Sequence, residues 1–235
     1  MSSLLTRYRR LQQDSRQEHA LSWPVLFWLF MAGSLLGFVL EGVNHFLHHG
    51  CWGFRVGTLW GPFCVLYGFG AVVMYLVVLG VQHQRPLTQF ALLALAGSGV
   101  ELAAGLFQKA VFGTQSWDYS AHALNLGGYI SLKMTLLWGV AGMALMYIVL
   151  PCLFRSFNRL QLGRRRTLCR VASALMCVNL LLTCAALLRW EERVQQQAPA
   201  GNAIEIYLDR RWPDERMRER FPNMEFMILD EAEAL

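Results

Sequence analysis

The chain has 235 residues, 55% of them hydrophobic and only 16% charged, with a mean hydropathy of +0.33. Soluble domains carry nearer a quarter charged residues, so this composition excludes an ordinary globular domain and points to a membrane protein. The formal net charge of +5 is not a nucleic-acid signature, because the basic residues gather at the ends of apolar stretches, where they orient helices in a bilayer.

Residues 1–23 form a polar, basic arm with Arg7, Arg9, Arg10 and Arg16. The apolar run after Pro24 is too long for the core of a secretory signal, so the arm reads as cytoplasmic and retained. Five windows, each about 20 residues, are long enough to span a bilayer. They are 24–47, 60–81, 87–107, 130–153 and 168–188. The arm, the turn carrying Arg85, and a loop with Arg155, Arg159, Arg164, Arg165, Arg166 and Arg170 hold most of the positive charge. The alternate loops, 48–59 and 108–129, carry only Arg55 and Lys109. Positive charge marks the cytoplasmic side, so the N-terminus is expected inside and, after five crossings, the tail outside.

The expected fold is an all-α membrane protein with five transmembrane helices over 24–190. Two helical hairpins, 24–81 and 87–153, read as parallel repeats, followed by a fifth helix and a small extracytoplasmic tail of mixed charge, 191–235. Within that tail 204–208 is strand-like, and a short helix opens at Pro213 and closes near Pro222. The six cysteines form no C-x-x-C; buried inert thiols are expected, with a pairing of Cys51 and Cys64 left open.

The first and third windows each hold a glutamate four residues after a glycine, Gly37 with Glu41 and Gly97 with Glu101, 60 positions apart. A carboxylate in hydrocarbon costs roughly 2.5–3.5 kcal/mol on insertion scales, so both should face protein or water. Gly33, Gly37 and Glu41 are spaced i, i+4, i+8, as are Gly97, Glu101 and Gly105, so each acid shares a stripe with small residues that let helices approach closely. Both windows run outward and each acid lies six residues before its window's end, roughly 9 Å beneath the outer interface. Lys133, near the start of the inward-running fourth window, reaches a similar layer and completes a candidate charge cluster, unless it snorkels to the interface.

The outer ends carry the remaining unusual residues. His45, His48 and His49 precede Cys51 and Arg55, and the second window opens on Gly57, Gly61-Pro62, Cys64, Tyr67, Gly68 and Gly70. Gly61-Pro62 implies a bent helix start. The loop after the third window reads Trp117-Asp118-Tyr119-Ser120 and then Asn125-Leu126-Gly127-Gly128-Tyr129-Ile130. Trp and Tyr favour the interface, and Asp118 and Asn125 suit turns and caps.

These residues resemble the ABC-transporter permeases of type IV, small bacterial polytopic membrane proteins. The resemblance rests on the G-x-x-x-E of the first span, a G-P-x-C-x-x-Y-G stretch from Gly61 to Gly68, Glu101, W-D-Y-S at Trp117, Asn125, Leu126, Gly128, Ile130, and Trp138-Gly139. It covers roughly 33–150, and the tail around Trp212 and Phe221 is similar to the family's ending. Val56 and Tyr129 stand where the family has arginines, so any balance for the acids would fall to Arg55 or Lys133. The resemblance implies a permease role in a bacterial plasma (inner) membrane without naming a substrate. No G-x-x-x-x-G-K-[ST] is present, so the implied ATPase partner would be a separate subunit.

The candidate ligand-binding residues are therefore Glu41, Glu101, Lys133, Arg55, Asp118, Asn125, Tyr67 and Trp117. No cofactor, metal or nucleic-acid partner is expected. Three other readings stay open. Glu41, Asp118 and the histidines have the chemistry of a membrane-embedded enzyme at the outer interface. Glu41, His45 and His48 or His49 lie along one helical face that could capture a metal. A structural partner of another membrane protein is the third, with the tail either contacting that partner or covering the outer mouth of the bundle.

Overall fold

The structure, a computed structural model, describes residues 21–53, 56–159, 162–196 and 199–227. Two helices of 27 residues, α1 (Trp23–His49) and α3 (Pro86–Phe112), share one punctuation. Each has proline in its first turn, where the missing N–H is not needed. Each stops at a glycine in the left-handed conformation, Gly50 (φ 71°) and Gly113 (φ 57°), whose N–H returns to the carbonyl of Phe46 or Lys109. These stops lie two and five residues beyond the expected ends of the first and third windows, so the acids sit deeper below the helix ends than window length implied. A backbone glycine ends each helix here, and the fall in hydrophobicity does not.

Between them runs α2 (Val65–Val81), 17 residues, shorter than its window and preceded by irregular chain at 56–64. Pro62 cannot continue a helix, and Gly61 takes φ 77°. Non-helical backbone shielded from water requires hydrogen-bond partners, and other helices supply them. Cys64 N–H donates to Ser34 O of α1 at 3.0 Å, and Leu59 N–H to Thr183 Oγ1 at 3.0 Å. Trp60 donates to Asn179 Oδ1 (3.2 Å) and accepts from Asn179 Nδ2 (2.8 Å). Asn179 and Thr183, two buried polar residues of the last long helix, are thus accounted for.

The next long apolar segment combines α4 (Leu132–Ala144), a π-turn over Leu145–Val149, and α5 (Leu150–Arg159). Ser131 caps α4 by accepting from Met134 N–H. The last long helix, α6 (Leu162–Glu191), ends in a second π-turn, Glu192–Gln196. Among the described residues, four segments are long and apolar enough to cross a membrane: Trp23–His49, Pro86–Phe112, Leu132–Arg155 and Arg166–Gln195. The shorter apolar α2 accompanies them. Helices α1 to α4 pack in sequence around Leu29, Met74, Tyr75, Val78, Leu93, Trp138 and Met146. Against α1 and α2, α6 packs through Phe27, Phe30, Cys169 and Met176.

One end of the bundle is capped. There β1 (Thr114–Gln115) pairs antiparallel with β4 (Glu225–Phe226), and β2 (Asn125–Leu126) pairs with β3 (Ile130–Ser131) across Gly127 and Gly128, both at positive φ. The tail contributes α7 (Ala203–Arg211) and α8 (Asp214–Arg220), so the strand expected at 204–208 is a helix. Its cause is local: Asn202 Oδ1 accepts from both Ile204 and Glu205 N–H, and this cap outweighs the β-branched residues. The expected short helix after Pro213 is α8. Leu208, Trp212, Met217 and Phe221 bury themselves on Leu59, Phe112, Leu187 and Trp190, so the tail folds onto its own bundle. Cys51 (exposed) and Cys64 (half-buried) are not joined in a disulfide.

Candidate binding cavity

The glycine before each glutamate has a definite use. A Cβ on Gly37 would fall within 2.5 Å of Tyr67 Cβ, and one on Gly97 within 2.6 Å of Trp138 Cβ and Cγ. Each glycine therefore seats an aromatic ring from the next helix in the chain. One turn further along the same face, the acid meets that ring's polar atom. Tyr67 Oη donates to Glu41 Oε1 at 2.7 Å, and Trp138 Nε1 donates to Glu101 Oε2 at 3.0 Å. Tyr119 Oη donates to the other oxygen of Glu101 at 2.9 Å. The Tyr67 and Trp138 rings lie 5.3 Å apart between centroids, so one chain of contacts links the two acids. Glu101 is 2% exposed and Glu41 half-buried.

Both carboxyl groups line a single cavity of about 610 Å³. Its walls are mostly apolar, with Leu66, Phe69, Val100, Phe107 and Met134 among them. Val56, Gly57, Cys64, Trp117, Tyr119 and tail residues 221–224 line it toward the capped end. Arg220 ties the tail to the irregular 56–64 stretch, donating to the carbonyls of Thr58 (2.9 Å) and Gly61 (2.6 Å). No Lys, Arg or His stands among the described residues that line the cavity.

Of the residues singled out by sequence, Glu41, Tyr67, Glu101 and Trp117 line this cavity. Trp117 Nε1 donates to Tyr129 O at 3.0 Å, which fixes its ring at the rim. Asp118 is exposed and organises the loop, accepting from Ser120 N–H (2.8 Å) and Ser120 Oγ (2.9 Å); those bonds hold its carboxyl below the usual aspartate range. Asn125 also serves the loop, donating to the carbonyls of Ser120 and His122 and accepting from Gly128 N–H. Arg55 lies outside the described residues.

Lys133 does not join the acids. It is exposed in a separate groove with Phe90, His122 and Leu136. Five residues separate it from Trp138, which turns it about 140° away from the helix face that meets Glu101. His45 and His48 bond the carbonyls of Cys51 and Asn44, and no metal-binding group of three occurs among the described residues.

The site residues missing from the candidate set are Tyr119, Trp138 and tail residues 221–224. A buried indole N–H requires an acceptor, so Trp138 within an apolar window was a usable signal for a polar partner. Tyr119 sat beside Trp117 with no periodicity to mark which way it points.

The long apolar helices point to a multi-pass α-helical membrane protein. Residues 28–184 match the family model described as "Putative ABC-transporter type IV", well over half of the chain, and the protein belongs to that family. The motifs around Glu41, Pro62, Trp117 and Trp138 that carry the resemblance all lie within the matched range. No curated protein and no solved structure matches the chain.

Proposed function

We propose that the protein is a permease-like subunit of an ABC-type transporter in a bacterial plasma membrane, acting with a separate ATPase. In this reading α2 is a fifth crossing, the basic arm is cytoplasmic, and the capped end with the tail faces outward. The two hairpins are tandem parallel repeats, each contributing one acid to a ligand site for a cationic or hydrogen-bonding species. The observation that carries the reading is that Glu41 and Glu101, from different helices, open onto one cavity walled by apolar side chains. Buried acidic groups within a bundle are expensive, and they mark functional pathways more often than packing. Family membership supports the transport class, and the long charge-poor helices support the membrane setting.

The test is Glu41→Gln together with Glu101→Gln, expressed with the native partner subunit. Inserted, monodisperse protein that has lost uptake or ligand binding is the expected result. Undiminished activity in a correctly folded double variant would remove the acids from the mechanism.

A further inference from the structure

We propose that this cavity takes an amphipathic ammonium compound, an apolar body bearing one amine, which arrives from the lipid side of the bundle. The inference rests on the reading of Glu41 and Glu101 as the ligand site and names its chemistry.

Three features carry it. The first is the wall. Val65, Leu66, Val100, Met134 and Leu187 offer hydrocarbon and nothing to replace a small ion's hydration shell, whereas an apolar body gains from every surface it covers. A volume of about 610 Å³ suits a small organic molecule and is far larger than a bare cation needs. The second is the polar end. The acids present acceptor oxygens held in place by Tyr67, Tyr119 and Trp138, which favours a donor-rich, positively charged head.

The third is the route. Toward the capped end Val56, Gly57, Cys64 and tail residues 221–224 line the cavity, and Arg220 ties the tail to the carbonyls of Thr58 and Gly61. Its flank is different. Phe69 of α2 and Phe107 of α3 both line the cavity, yet are 51% and 55% exposed, and Ala103 beside them is exposed too. These residues lie in apolar helices, so the flank opens where acyl chains would be. A ligand partitioned into the bilayer meets this opening directly; a hydrated one meets the capped end.

The experiment uses the full-length protein in nanodiscs of phosphatidylcholine and phosphatidylglycerol, with radiolabelled hexyl-, octyl- and decylammonium as probes. The Glu41→Gln/Glu101→Gln protein in identical discs subtracts partition into lipid. Should the double variant not fold, Glu41→Gln alone, whose amide oxygen still accepts from Tyr67, should bind several-fold more weakly than wild type, and equal affinity would remove both readings. The expected result is saturable binding above that of the double variant, with the half-saturating concentration falling about fourfold per added methylene. Ala103→Phe, placed on the exposed flank, should slow association at least tenfold. Competition by phosphatidylethanolamine, added to the discs, would identify a lipid headgroup as the source of the ammonium and leave chemistry and route intact. Displacement by methylammonium as effective as by octylammonium would overturn the amphiphile while leaving the proposed site standing. Unaltered association in Ala103→Phe would overturn the lateral route. Equal binding to wild-type and acid-free protein would remove both readings.

Discussion

Alanine at Gly37 or Gly97 adds one methyl group where an aromatic ring already sits, within 2.5 Å and 2.6 Å of its atoms. Packed cores charge about 1–3 kcal/mol for such crowding, and here the ring that moves is also the one that bonds the acid. Either substitution should lower the thermal midpoint of purified protein by several degrees and weaken ligand binding. Gly99→Ala is the internal control, since nothing lies within 4 Å of a Cβ there, and it should be neutral or slightly stabilising. Equal effects at 97 and 99 would mean that helix propensity, and not ring seating, explains the glycines. At this scale the sequence was partly legible. Spacing placed each glutamate on the face of its glycine, and both faces do turn inward. The rings they meet come from other helices, 26 and 37 positions away, and no local pattern encodes such a partner. Lys133 failed for a related reason: equal depth says nothing about which way around the helix a side chain points.

The tail is held to α6 by charge as well as by its apolar contacts. Arg189 donates to both oxygens of Asp209 (2.9 and 2.8 Å), and Arg193 reaches Asp209, Asp214 and the Trp212 carbonyl. Glu192 and Glu205 also face Arg189. The bonds from Arg189 and Arg193 hold the Asp209 carboxyl below the ordinary aspartate value of 3.8. A depressed value means that this stabilisation is complete above 3.8 and fades as pH falls through the lower folded value. Amide hydrogen exchange across Ala203–Arg211, corrected for its intrinsic pH dependence, should therefore accelerate below that point, and Asp209→Asn should show fast exchange at every pH. A pH-independent rate in the native chain would show that the apolar contacts alone anchor α7. The long helices were legible because proline and glycine punctuate uniform apolar runs. The irregular 56–64 stretch was not, because the Asn179 and Thr183 that satisfy it lie more than a hundred residues away, and the tail helix was misread because one Asn cap decides it.

For the whole molecule, the arginine distribution predicts an orientation that a membrane-impermeant thiol reagent can test. Cys51 is exposed just beyond α1 at the capped end, so a variant retaining only Cys51 should react on intact cells. A variant retaining only Cys152, at the basic end of the apolar segment Leu132–Arg155, should react only after the membrane is opened. The reverse pattern would invert the topology and place the cavity near the cytoplasm. The account depends most on two acids, brought by separate helices, serving one ligand. A double-mutant cycle on ligand affinity, comparing wild type, Glu41→Gln, Glu101→Gln and the pair, measures that most directly. Shared engagement predicts a coupling energy on the order of 1 kcal/mol or more, whereas additivity within about 0.5 kcal/mol would mean that the acids act independently and that the common site does not exist.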